Sequence, residues 1–227
     1  MKLKKYTALV LASAMFFSSS ASAITFTDIS GHWAQSIITE LADKGIVKGY
    51  TENTFAPDGT VTRAEFLKMA MEIMGIKTSA YRYGQCLEAT ASDWFSPYLQ
   101  SALDKGLIPD NMITGYDVKV VKNDDGTTRA VYSGAFNGNL AITREEMAVL
   151  AQYTYQYTRN ANTMKDMNES CDLTFTDIDD ISGWAYETVK LATAQGFIGG
   201  MDDGTFMPKS TATRAQAATI ISRMMNK

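Results

Sequence analysis

Three arginines, Arg63, Arg144 and Arg214, each follow a threonine and stand two residues before Glu65, Glu146 or Gln216. A guanidinium is a rigid fork of N–H donors that can grip a carboxylate through two parallel hydrogen bonds. The flanking residues read as a capping box. The threonine oxygen accepts from the third helical amide, and the Glu or Gln reaches back to the cap amide. An arginine in the first helical position is not needed for that cap, and a helix N-terminus prefers anions to cations. An exposed ion pair, worth about 0–1 kcal/mol, accounts for one such arginine better than for three. The pattern therefore reads as a helix start that also holds a small anion, with the first helical amides adding to the attraction.

Other residues also have chemical potential. Glu65 and Glu146 could form the carboxylate pair of a glycosidase. Capping already accounts for both, and Gln216 removes the carboxylate from the third copy. No catalytic residue is assigned. Asn123-Asp124-Asp125-Gly126 has turn chemistry but lacks the spaced ligands of a calcium loop. No metal site and no cofactor is assigned. His32 aligns with Asp93 and Gly183, so no repeated role depends on it. Cys86 and Cys171 lie at comparable places in two linkers. They could form a disulfide or remain free thiols, depending on how close their alpha carbons come.

The elements that must position the arginines repeat with them. Trp33, Trp94 and Trp184 each stand 12 residues before a glycine, Gly45, Gly106 or Gly196. Phe55, Phe136 and Phe206 each stand seven residues before the cap threonine. From glycine to threonine the interval is 17 residues in the first and third copies and 37 in the middle one. The extra residues fall between about Met112 and Ala135 and read as a hairpin, Val118–Val121 against Thr128–Tyr132, around the Asn123–Gly126 turn. Each copy is a helix, a loop and a capped second helix. The first helices place Ala34, Ile38 and Leu41, then Phe95, Leu99 and Ala102, then Ala185, Val189 and Ala192 on one stripe. Neither helix of a copy can bury its apolar face alone, so the copies must pack together.

Composition sets the context. Lys2, Lys4 and Lys5, an apolar run from Ala8 to Phe17, and Ala21-Ser22-Ala23 read as a secretory leader at 1–23. Three of the 21 basic residues lie there, leaving 18 against 25 acidic, a net charge of −7. That disfavours nucleic acid and anionic membranes as partners. No later run is long and apolar enough to span a bilayer, so no membrane insertion is expected after leader cleavage. The expected organisation is a first copy at 24–76, a linker at 77–92, a second copy at 93–157 with the hairpin at about 113–135, a linker at 158–173, and a third copy at 174–227.

These residues resemble the S-layer homology (SLH) motif. Its pattern runs Phe-x-Asp, Trp-Ala, a helix, Gly-Ile/Leu-Ile/Val-x-Gly, Gly-x-Phe-x-Pro and Thr-Arg-Ala-Glu. The first copy departs from it at Asn53 and the third at Gln216. The middle copy keeps Trp94, Gly106 and Thr143-Arg144-Glu145-Glu146, lacks Phe-x-Asp, and has Gly138 where proline is usual. The resemblance implies a mainly α fold, three SLH repeats in a pseudo-three-fold bundle with grooves between the lobes. It implies binding of bacterial secondary cell-wall polysaccharide, often through pyruvylated N-acetylmannosamine. Arg63, Arg144 and Arg214 would then hold the ligand carboxylate, with Trp33, Trp94, Trp184, Asp28 and Asp177 lining the grooves. Several grooves on one polymer would raise avidity.

The resulting expectation is a secreted, non-enzymatic protein of the cell wall or S-layer surface, with wall polysaccharide as its partner and other surface proteins as further candidates. A structural S-layer or scaffold subunit is the alternative reading, and a wall-acting enzyme the third.

Overall fold

The computed structural model describes residues 25–159 and 171–227. The leader, and most of the second linker, lie outside the described residues. Six helices are seen there: α1 (Gln35–Asp43), α2 (Arg63–Ile73), α3 (Ser96–Asp104), α4 (Arg144–Thr158), α5 (Gly183–Ala194) and α6 (Arg214–Met225). A hairpin of β1 (Thr114–Lys122) and β2 (Thr128–Ala135) lies between α3 and α4. The fold is mainly α.

The helices form where the spacing places them. Ala34, Ile38, Leu41, Leu99, Ala102, Ala185, Val189 and Ala192 are fully buried, with Phe95 close behind. Gly45, Gly106 and Gly196 end the first helices with φ of 71°, 64° and 75°. A side chain there would meet the left-handed penalty that glycine escapes. The hairpin turns at Asn123–Gly126 as expected, but its strands run longer, with Val118 opposite Tyr132 and Thr114 opposite Ala135. The added ends include Gly115, Asp117, Ser133 and Gly134 and carry no alternating apolar signal.

The packing runs between copies. α3 lies against α2, α5 against α4, and α1 against α6, so each first helix packs on a second helix of another copy. The second helices α2, α4 and α6 touch one another and bring in Phe66, Leu150 and Ile221, all fully buried. Just before their caps, three backbone bonds form a closed cycle. Val61 donates to Ala212 (3.1 Å), Ala212 to Ile142 (2.9 Å), and Ile142 back to Val61 (2.9 Å).

Two substitutions in the middle copy compensate each other. Where the outer copies have Ala34 with Pro57 and Ala185 with Pro208, the middle one has Phe95 with Gly138. A Cβ on Gly138 would stand 2.9 Å from the Phe95 ring, so the larger aromatic has taken that space. The same logic covers the missing opening phenylalanine. A Cβ on Gly49 would come within 2.5 Å of Phe26, and one on Gly200 within 3.1 Å of Phe175. The middle copy has no such phenylalanine, and Asp110 occupies the glycine position.

The first linker is fastened to α3. Gln100 donates to the Gln85 carbonyl and Ser101 to that of Lys77, while Arg82 pairs with Asp104. Cys86 lies buried there and donates to the Ser96 carbonyl at 3.4 Å; Cys171 donates to that of Lys190 at 3.5 Å. The disulfide considered above is not formed, because the two thiols are held on carbonyls of different helices and both are free. Burial pushes the Cys86 thiol up to about 12, with Glu88 adding to the rise, so little reactive thiolate exists at neutral pH. A thiol reagent should modify the half-buried Cys171 in the native protein and Cys86 only after unfolding. Reductant should leave the melting temperature unchanged.

Candidate functional site

All three capping boxes form. Thr62, Thr143 and Thr213 accept from the amides of Glu65, Glu146 and Gln216, whose side chains accept in return from the cap amides. The remaining first-turn amides are also engaged. Arg63 and Ala64 donate to Leu140 and Gly138 at 2.9 Å each. Arg144 and Glu145 donate to Ser210 and Pro208, and Arg214 and Ala215 to Gly59 and Pro57. The expectation that these amides attract an anion is therefore corrected. They bind the neighbouring copy's loop, which takes the place an anion would have had.

The arginines reach across copies in the same sense. Arg63 donates to the Phe136 carbonyl at 2.8 Å, Arg144 to that of Phe206 at 2.6 Å, and Arg214 to that of Phe55 at 2.8 Å. Their remaining partners differ. Arg63 grips Glu146 through both Nε and Nη2. Arg214 stacks on Tyr50 and Phe55, at 4.3 and 4.5 Å, and lies 3.8 Å from Glu65. Arg144 stacks on Phe206 at 5.2 Å and donates to the Gly199 carbonyl, but has no ion pair among the described residues. Burial pushes its guanidinium down from its ordinary value, and the charge of Asp177 opposes that shift.

Asp28 and Asp177 hold turns. Asp28 accepts from the Phe55 and Ala56 amides at 2.9 and 2.6 Å, and Asp177 from those of Phe206 and Met207 at 2.7 Å each. Ala56 and Met207 have φ of 59° and 56°, a left-handed conformation that turns successive amides toward one anion. In the middle copy Glu88 does this work, accepting from Phe136 at 2.8 Å and Asn137 at 2.6 Å, with Asn137 at φ 55°. The acid that Phe-x-Asp lacks there is supplied from the linker, six residues before Trp94.

These bonds set a pH dependence. Burial raises the Asp28 carboxyl, but the Phe55 and Ala56 amides outweigh it and hold it below its ordinary 3.8. A depressed folded value stabilises above the unfolded one and is lost as pH falls through the folded one. Near neutral pH the Asp28 contribution is fully present and independent of pH, and urea midpoints should fall as pH drops below 3.8. Asp28→Asn should flatten that part of the curve.

One groove joins residues from all three copies. Its volume is about 470 Å³, and its walls include Trp33, Arg144, Phe206, Gln216 and Arg223. Trp33 is 62% exposed, its face open to a ligand. Of the residues expected to form sites, Arg144 and Trp33 are brought together here. Arg63, Arg214, Trp94 and Trp184 do not line this groove; Trp94 packs edge-on to Phe95 and Tyr98, and Trp184 is half-buried against the core. The places of Arg223 and Gln216 on the groove wall are not evident from the motif alone. Arg223 stands nine residues after Arg214, where the other copies have Glu72 and Tyr153, so comparing the copies at that offset would have found it.

Residues 25–67 and 174–218 match the S-layer homology domain. These two segments are S-layer homology (SLH) domains. The matched regions are the first and third copies of the SLH pattern. The SLH chain is 32% identical over 203 residues to an amylopullulanase of Thermoanaerobacterium thermosulfurigenes, covering 89% of this chain and 10% of that protein. It is 35% identical over 94 residues to a cellulosome-anchoring protein of Acetivibrio thermocellus, covering 41% and 20%. It is 25% identical over 200 residues to the S-layer protein sap of Bacillus anthracis, covering 88% and 21%. The chain spans about a fifth or less of the length of these relatives.

Proposed function

We propose that this SLH chain is a non-enzymatic module that attaches to the bacterial cell wall by binding an acidic, ketal-pyruvylated polysaccharide. The observation that carries the reading is the pairing of Trp33 and Arg144 in one groove. An exposed indole suits the apolar face of a sugar ring, and an arginine without an ion pair suits a carboxylate on that ring. The volume falls within the ordinary range of small-ligand sites, about 300–1,000 Å³. Asp28, Asp177 and Glu88 act by holding the turns that carry Phe55, Phe206 and Phe136. Trp94 and Trp184 lie outside this groove.

The middle copy is read as a third SLH motif, and the whole as a pseudo-three-fold bundle, on the cyclic cap, loop and arginine bonds. The similarity argues for attachment rather than catalysis: proteins named as an amylopullulanase and as an S-layer protein match across the same 200 or so residues. Glu65 and Glu146 are engaged in caps, with Glu146 also gripping Arg63, which leaves no free carboxylate pair there. A location at the cell wall or S-layer follows from this reading together with the leader.

The test is co-sedimentation of the mature chain with purified walls, before and after mild acid removes the pyruvyl ketals. Binding should be lost with the ketal. Binding indifferent to that treatment, or none to untreated walls, sinks the proposal.

A further inference from the structure

We propose that Gln216 is the residue that makes the Arg144 groove competent for the acidic glycan, and that each chain binds one such ligand, in that groove. The inference rests on the wall-binding reading above. It starts from an inequality among three arginines that each donate to a phenylalanine carbonyl of the neighbouring copy. Around the cycle, the third capping-box residue of one copy lies beside the arginine of another. Glu146 stands by Arg63, and Glu65 by Arg214. Gln216 lines the groove with Arg144, so the residue there is an uncharged amide.

A carboxylate approaching Arg63 must displace Glu146, or share the guanidinium with it at close range. Two like charges held that close, in a partly desolvated site, repel strongly. The same ligand approaching Arg144 meets a neutral capping side chain, that of Gln216. Nη1 of Arg144 makes no hydrogen bond among the described residues, since Nε and Nη2 carry its two carbonyl contacts.

A second observation points to the same groove. Arg223 lies on its wall and uses Nη1 for the Phe197 carbonyl at 3.2 Å. The corresponding positions of the other copies are acidic or aromatic, Glu72 and Tyr153. The groove thus has two guanidiniums against the single carboxylate of Asp202. The capping function does not require the amide, because Glu65 and Glu146 cap their helices as Gln216 does. Gln216→Glu should therefore fold and keep its cap.

The experiment is isothermal titration of the mature chain with the methyl glycoside of a 4,6-pyruvyl-ketal hexose. Unaltered protein should bind one molecule per chain, a result that depends on no variant. Gln216→Glu should weaken binding by roughly 100-fold, the effect of placing a like charge beside the ligand carboxylate. Two or three molecules per chain, or a Gln216→Glu affinity within about 3-fold of the unaltered protein, well below that like-charge effect, overturns the assignment and leaves wall attachment standing. No binding of the glycoside, with walls also unbound, defeats both.

Discussion

Glu146→Ala should destabilise the fold by about 3 kcal/mol or more, because it strands a partly buried guanidinium. Glu146 accepts from Thr143 to complete a cap and from Arg63 through both oxygens. Both side chains are at least 85% buried, Arg63 with 15% and Glu146 with 10% of its surface exposed, so solvent screens the pair weakly. Losing the cap alone is worth about 1 kcal/mol. The melting temperature should drop by roughly 6–12 °C, given 2–4 °C per kcal/mol in a chain of this size. Gln216→Ala supplies the comparison: it removes a cap residue with no ion pair and should cost only about 1 kcal/mol. Equal losses in thermal unfolding would show that the Arg63 pair contributes nothing.

The second large effect is on binding. Arg144→Ala should reduce affinity for pyruvylated wall polymer by at least about 100-fold, as expected when a charged partner is removed from a desolvated contact. Arg144 also anchors the Phe206 and Gly199 carbonyls, so some loss of stability will accompany the loss of binding. Arg214→Ala separates the two, since Arg214 holds the Phe55 and Lys48 carbonyls in the same manner. That variant should lose comparable stability and keep its hold on the wall. Arg144→Lys should recover only part of the affinity, because an ammonium keeps the charge but not the fork. Wall binding by Arg144→Ala equal to that of Arg214→Ala would place the ligand elsewhere.

Much of this was legible before the fold was known. The caps at Thr62, Thr143 and Thr213, the helix ends at three glycines and the turn at Asn123–Gly126 are local features. Each depends on residues within one turn of one another. What escaped was contact between copies. The sequence places an arginine at a helix start but does not say which loop its side chain will cross to. Hence the first-turn amides looked available when the neighbouring loops occupy them. Glu88 was passed over because it sits in a linker without the Phe-x-Asp around it, and only the convergence of two amides identifies it. Gln216 reads as a departure within a cap because Arg144, which shares its groove, lies 72 residues earlier in the chain.

The cycle of Val61, Ala212 and Ile142 limits how such a chain can grow. A solenoid has two open ends and can lengthen by one unit at a time. Here every donor at the centre already has its acceptor within the set, and α1 closes the circuit against α6. A fourth copy would have no vacancy to enter without breaking one of the three links. Copy number is thus a closed quantity, like the membership of a ring-shaped oligomer written into one polypeptide. Duplication of this architecture would have to proceed by whole triplets, each bringing its own groove.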